Sequence, residues 1–110
     1  MPPTRYDGES VDAVLTVLSH STRRRILRSL QGTESTTVVD VLSDLLDDER
    51  PTDPTARRER LRVALCHVHL PKMDEAGVLD YDRSSGSIRT TETTTLACDL
   101  LARAVDRSVS

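Results

Sequence analysis

The stretch that most constrains the fold is Arg57–Asp82, RRERLRVALCHVHLPKMDEAGVLDYD, which predicts a long helix that stops abruptly and continues as a strand. Gly77 predicts the stop, because glycine readily takes the left-handed conformation that ends helices. The residues directly after it, Val78, Leu79 and Tyr81, are of types that favour strands. The rest of the chain therefore has to pack around a helix–turn–strand unit.

The long helix carries two apolar stripes, Leu61/Ala64/Leu65/Val68 and Cys66/Leu70/Met73. Leu61 and Leu70 are nine residues apart and fall on opposite sides of a helix that turns about 100° per residue. Pro71 cannot donate to the carbonyl of His67, so a kink or break is expected there. Either the helix bends at Pro71 and both stripes reach one core, or one stripe packs on a partner.

Helical periodicity also predicts helices from Ser10 to about Ser19, from Ser21 to Gly32, from Thr37 to Leu46, and over residues 93–106. The segments 78–82 and 87–91 flank a four-residue loop with Gly86, which predicts a β-hairpin. The polar connection 33–37 has room for a short strand. The predicted core is Leu18, Ile26, Leu27, Leu30, Leu42, Leu45, Leu70, Met73, Leu79 and Tyr81.

The fold class expected is mainly α with a small β-hairpin. Residues 1–9, with two prolines and a glycine, predict a disordered tail; residues 10–92 form the domain; and residues 93–110 form an additional C-terminal helix. The charged segment 47–56, with Pro51 and Pro54, is a linker longer than the three or four residues of a tight helix-turn-helix.

The composition is acidic, rich in Asp and poor in Lys: Lys72 is the only lysine among 15 basic residues, and the net charge is -3. Such a surface keeps a protein soluble in very high salt, so the chain is expected to be halophilic; a GC-rich genome that favours Arg over Lys is the alternative. No apolar run approaches the ~20 residues of a membrane span. The polar N-terminus lacks the apolar core of a signal peptide, so a cytoplasmic location is expected.

The sequence offers no sign of an enzyme, because it has no Gly-rich phosphate loop and no nucleophile elbow. A metal site made from Cys66, His67, His69 and Cys98 is disfavoured, since His67 and His69 are two residues apart and cannot share a helical face. The two cysteines are expected to be reduced thiols, and no cofactor is expected.

Two segments carry a resemblance to winged helices. HLPKMDEAGVL, residues 69–79, resembles the HLxxLxxAGLV run of arsenic-repressor-like winged-helix regulators, and LSHSTRRRIL, residues 18–27, resembles the opening of many prokaryotic winged helices. Over residues 10–92 the chain resembles a haloarchaeal family of small winged helix-turn-helix domains, mostly of unassigned function. The resemblance implies a winged helix that binds double-stranded DNA and regulates transcription, with the hairpin as its wing and the C-terminal helix for dimerisation.

The candidate DNA-binding residues are the basic side chains of the long helix and the hairpin. They are Arg57, Arg58, Arg60, Arg62, His67, His69, Lys72, Arg83 and Arg89. Arginine suits both phosphate and guanine because its guanidinium fork is bidentate. The alternative for the helix is local pairing with Glu59 and other acids. The run Arg23/Arg24/Arg25/Arg28 is interpreted as a solvated helix face rather than a phosphate contact.

A competing hypothesis is a protein-interaction module, which the long linker, the second apolar stripe and the acidic net charge favour. Under either hypothesis the C-terminal helix is expected to form a homodimer. Its leucines, Leu96, Leu100 and Leu101, are the predicted interface, because exposed apolar patches usually mark interfaces.

Overall fold

The chain folds into a mainly helical structure with a small antiparallel sheet, and the computed structural model describes residues 8–47 and 54–109. The elements within these ranges are α1 (Gly8–Leu18), α2 (Ser21–Leu30), β1 (Ser35–Thr37), α3 (Val38–Asp47), α4 (Pro54–Ala64), a π-helical segment (Leu65–His69), α5 (Leu70–Glu75), β2 (Leu79–Asp82), β3 (Ser87–Thr90) and α6 (Glu92–Val109). None of these helices is long and apolar enough to cross a membrane.

Two predicted boundaries differ from those in the structure, one at the N-terminal tail and one at the linker before α4. Helix α1 begins at Gly8, so Ser10 lies inside the helix and not at its N-terminus. The predicted disordered tail is otherwise residues 1–7, which lie outside the described residues. Most of the predicted linker, residues 48–53, lies outside them too. Helix α4 starts at Pro54, where a proline suits the first turn because its missing N–H has no helical partner to lose.

The predicted hairpin is confirmed, and the polar connection before α3 supplies a third strand. The strand order is β1-β3-β2, and both pairs are antiparallel. Side chains alternate across the sheet, so Leu79 and Ile88 are buried on one face while Asp80 and Arg89 are exposed on the other.

Hydrogen bonds at the helix ends explain why the elements begin where they do. The Thr37 hydroxyl accepts a hydrogen bond from the Asp40 N–H and so caps the start of α3. Helix α2 is capped by the Nδ1 atom of His20, which accepts from the Thr22 N–H, and not by Ser21. The Thr91 and Thr94 hydroxyls accept from each other's backbone N–H at the start of α6.

Gly77 ends the long helix as the sequence predicts. It has a φ of 76°, the Val78 N–H bonds to the Met73 carbonyl, and the Gly77 N–H bonds to the Asp74 carbonyl. These two bonds are the pattern of a Schellman motif. The Thr91 hydroxyl donates to the Gly77 carbonyl, so the turn is tied directly to the start of α6.

The core confirms most of the predicted residues: eight of the ten are buried, and Leu18 and Tyr81 are half-buried and pack against them. Residues that the prediction left out come from α1, α3, the long helix, the sheet and α6. They are Val14, Val17, Val38, Val41, Leu61, Leu65, Val78, Ile88, Ala97, Cys98 and Leu101.

The π-helical segment decides between the two alternatives for the apolar stripes. The Leu70 N–H bonds to the Leu65 carbonyl, five residues back, and such a turn takes up about one residue more than an α-turn. Leu65 and Leu70 therefore point the same way, and Leu61, Leu65, Leu70 and Met73 all reach one core. Val68 is the exception, since it is 49% exposed.

Candidate functional site

The π segment determines which side chains of the long helix are exposed to solvent. With Leu61, Leu65, Leu70 and Met73 facing inward, the opposite side of α4 presents Arg60, while His67 and Val68 are exposed on the segment that follows. Val63, three residues after Arg60, shares its side of the helix and is 42% exposed. The surface is therefore mixed, with basic and apolar side chains side by side.

A second row of side chains lies on a different side of α4 from Arg60. Arg58 and Arg62 are both exposed and four residues apart, so they share a face. The guanidinium of Arg62 hydrogen-bonds to both carboxylate oxygens of Glu59, at 3.1 and 2.5 Å. This pairing raises the pKa of Arg62 and lowers that of Glu59. The local-pairing alternative is thus confirmed for Arg62.

The same side of the helix leads onto the hairpin. Cys66 is half-buried next to Arg62 and next to the Tyr81 hydroxyl on β2. Burial first, and then the Cys66 thiol, raise the pKa of Tyr81, whereas the nearby Arg83 guanidinium acts to lower it. Cys66 and Tyr81 therefore connect the side of the helix that carries Arg62 with the strand that precedes Arg83.

The hairpin loop is held in shape by Asp82. Its Oδ1 atom accepts hydrogen bonds from the Ser84 N–H at 3.0 Å, the Ser84 hydroxyl at 2.8 Å and the Ser85 N–H at 3.4 Å. These bonds lower the pKa of Asp82, the Ser84 hydroxyl having the largest effect. The exposed Arg83 is thus presented by an ordered turn.

Arg89 does not join Arg83. It lies on the central strand β3, where its direct partners across the sheet are Ser35 and Asp80. The groove around it is also lined by Glu34 and Glu92. Arg89 was predicted to lie on the wing with Arg83, but the strand order puts Arg89 opposite Asp80, near Glu34 and Glu92, at the end of the hairpin away from the loop.

His69 is wrong as a DNA contact, because only 5% of it is exposed. Its ring lies 4.5 Å from the ring of His20, tilted by 58°, and within the described residues no group pairs with its Nδ1 atom. Burial, followed by His20 and Arg23, lowers the pKa of His69 to about 4. The sequence did carry the signal, since Leu65, His69 and Met73 are spaced four apart.

Lys72 and Arg57 are basic but differ in their surroundings. Lys72 is exposed on α5 and lines a cavity together with Arg23 of α2. Arg57 is half-buried near the start of α4 and has an interaction partner of its own. The exposed cationic set on α4 and the hairpin loop is therefore Arg58, Arg60, Arg62 and Arg83.

The arginine run of α2 is not a solvated face. Arg24 donates to the Leu18 carbonyl at 2.7 Å and Arg25 to the Leu45 carbonyl at 2.5 Å, so they satisfy carbonyls in the last turns of α1 and α3. Arg23 is buried with Ile26, Leu27 and Leu30, whose spacing it shares. Only Arg28 of the four is exposed.

The three residues predicted to form the dimer interface differ in how deeply they are buried. Leu101 is wrong as an interface residue, because it is 5% exposed and packs into its own chain's core beside Ala97. Leu100 is half-buried against that core, and Leu96 is half-buried without belonging to it.

The cysteines lie apart on different elements. Cys98 is buried on α6, and its thiol faces the Leu27 carbonyl at 3.6 Å; burial raises its pKa. Within residues 8–47 and 54–109, no three His, Cys, Asp or Glu side chains come together as a metal-binding group would.

Comparison with known proteins gave one match. No curated protein and no solved structure was found to match the chain. A family model described as "Domain of unknown function (DUF7344)" matches residues 15–89, which is more than half of the 110 residues. The matched range begins within α1 and ends within β3, and it includes the long helix, the hairpin up to Arg89, and Arg23. The chain belongs to the DUF7344 family.

Proposed function

We propose that the domain is a winged helix and that it binds double-stranded DNA as a transcriptional regulator. The order α2-β1-α3-α4/α5-β2-β3 is the helix–strand–helix–helix–hairpin order of that fold. In this proposal α3 and the long helix form the helix-turn-helix, and β2–β3 is the wing. In this proposal the protein has no enzymatic activity and is located in the cytoplasm.

The observation that carries the proposal is the set of exposed arginines Arg58, Arg60, Arg62 and Arg83. Arg58 and Arg62 share one side of α4, and Arg60 lies on a different side. The three helix residues are exposed on α4, and Arg83 is exposed on the hairpin loop. A helix fits the major groove, and arginine pairs with guanine edges through two parallel hydrogen bonds. The long helix then lies in the major groove with the loop beside it.

The acidic composition changes how such a surface can bind. Binding that relies on six to ten phosphate contacts weakens by roughly 10³–10⁵ between 50 and 200 mM salt. A protein adapted to much higher salt cannot depend on that contribution. Its affinity must come mostly from base edges and from DNA shape, so we expect sequence-specific binding that persists in molar KCl and weak non-specific binding.

Replacing Arg60 with alanine is expected to weaken binding to a selected duplex by roughly 5- to 150-fold, the value of one base contact of about 1–3 kcal/mol. The melting temperature should not change, because Arg60 is exposed and Arg62 keeps the bond to Glu59. Fluorescence anisotropy in molar KCl measures the affinity. Arg103→Ala, an exposed arginine on α6, is the matched control. Equal affinities of the two variants would refute the contact.

A protein partner is the second candidate, and the exposed valines favour it. Val63 and Val68 are 42% and 49% exposed on the same helix as the arginines. Apolar side chains at this density suit a partner helix as well as a thymine methyl group. If a protein partner covers this surface, Val63→Asp should abolish the recovery of that partner, whereas Arg60→Ala should leave the recovery nearly unchanged.

We further propose a homodimer that uses α6. With Leu101 inside the core, Leu96 is the side chain left for a symmetric contact, with Leu100 at its edge. Light scattering in molar KCl is expected to give twice the chain mass of 12.2 kDa, and Leu96→Asp is expected to give the monomer mass. A monomer at every concentration of the unaltered chain would contradict the proposal.

A further inference from the structure

A cavity of about 210 Å³ opens between α1, α2 and α5, on a part of the fold that the proposed DNA surface does not use. Its walls include Thr16 and Val17 of α1, Arg23 of α2, and Lys72 and Glu75 of α5. Pockets for drug-sized ligands occupy about 300–1,000 Å³, so this cavity accommodates a single small chemical group.

Arg23 is the feature of this cavity that needs an explanation. It is 9% exposed, and no described residue accepts a hydrogen bond from its Nε or Nη1 atom. Buried charges in proteins are nearly always paired, because an unpaired one loses its hydration without compensation. Arg24 and Arg25 on the same helix do have partners, since each donates a hydrogen bond to a backbone carbonyl.

The surroundings of Arg23 add positive charge and little to balance it. Lys72 is a second cation on the cavity wall, and Glu75 is the carboxylate there. In the part of the chain that the structure describes, Glu75 forms no ion pair with either cation. His69, close to Arg23, is held neutral by its lowered pKa. The cavity wall therefore carries two cations against one anion.

We propose that this cavity binds a small oxyanion, a free carboxylate or phosphate compound, between the guanidinium of Arg23 and the ammonium of Lys72. The guanidinium fork matches both groups in geometry, and a charge-assisted bond to it is stronger than one between neutral groups. One oxyanion balances the excess charge and supplies the acceptor that Arg23 lacks. Because Arg23 is almost fully buried, the ligand is a free small molecule and not the backbone of a duplex. The proposal does not rest on DNA binding.

Titration of the full chain with inorganic phosphate, and separately with malonate, tests the site at constant ionic strength set with KCl. Each probe is expected to raise the melting temperature in a saturable manner, because a ligand that binds only the folded state stabilises it. The NMR signal of the Arg23 side-chain Nε–H should shift along the same binding curve. No saturable change with either probe would overturn the proposal.

Variants assign the effect to the cavity. Arg23→Gln is expected to remove the response, whereas Arg28→Gln, an exposed arginine on the same helix, keeps it. Lys72→Gln should weaken binding by about tenfold, as expected for one charge-assisted bond, and it remains informative if the Arg23 variant fails to fold. An equal response of the Arg23→Gln and Arg28→Gln variants would refute the site.

Glu75→Gln separates an external anion from an internal one. If the cavity takes a free oxyanion, removing this carboxylate increases the affinity for phosphate several-fold and does not lower the melting temperature without probe. If Glu75 pairs with Arg23 in solution, the same change lowers the melting temperature without probe and gives no gain in affinity, which would overturn the proposal. Arg23→Gln should also keep the affinity for duplex DNA; a loss would assign this cation to DNA phosphate.

Discussion

Replacing Leu70 with alanine is expected to lower the free energy of unfolding by about 2–5 kcal/mol, as is typical when a buried leucine is truncated and leaves a cavity. Leu70 is fully buried, and its N–H makes the i→i+5 bond to Leu65 that defines the π segment. The loss is a large share of the stability of a domain of this size, so the variant should be partly unfolded at moderate temperature. Urea denaturation at constant KCl measures the difference.

Val68→Ala is the matched control for this experiment. Val68 is two residues away and 49% exposed, so its truncation is expected to cost less than about 0.5 kcal/mol. A regular α-helix through the same residues would turn Leu65 and Leu70 about 140° apart, and they could not both face the core. Similar losses for Leu70→Ala and Val68→Ala would therefore contradict the π register.

The fold is expected to lose about 2 kcal/mol of stability between pH 7 and pH 5 because of His69. The pKa of this buried histidine is lowered from 6.5 to about 4 in the folded state. Protonation therefore favours the unfolded chain. The stability is fully present above pH 6.5, falls as the pH drops below it, and stops falling through His69 below about pH 4.

The measurement is the free energy of unfolding at several pH values between 5 and 7, above the range in which most carboxylates titrate. His69→Gln should flatten the dependence by about the amount assigned to His69, because glutamine does not titrate. His67→Gln, the exposed histidine two residues earlier, should leave the slope unchanged. Equal slopes in the unaltered chain and in His69→Gln would show that His69 is not held neutral in the fold.

Local sequence signals predicted the framework well. Gly77 marks the end of the long helix, Thr37 marks the start of α3, and Gly86 lies in the hairpin loop with the positive φ that favours glycine. These outcomes depend on interactions between residues close in sequence, and the physical reasons are therefore visible in the sequence itself. The buried stripe Ile26/Leu27/Leu30 follows from periodicity in the same way.

The candidate site was less predictable, because it depends on how elements are placed against each other. One additional residue in the π-helical turn rotates all side chains after Leu65 about the helix axis. No residue propensity predicts where such a turn forms. His69 and Arg23 do share the spacing of their apolar neighbours, but residue type alone favours the surface for both. The position of Arg89 opposite Asp80 follows from strand pairing, which the segment itself does not encode.

The most direct test of DNA binding is selection of duplexes from a random library by the purified full chain in molar KCl. We expect one enriched sequence motif, and we expect Arg60→Ala to relax the preference at one base pair of that motif while Arg103→Ala reproduces the original selection. Circular dichroism under the same conditions shows that each protein is folded. A folded chain that enriches no motif over several rounds would contradict DNA binding by the α4 and hairpin surface.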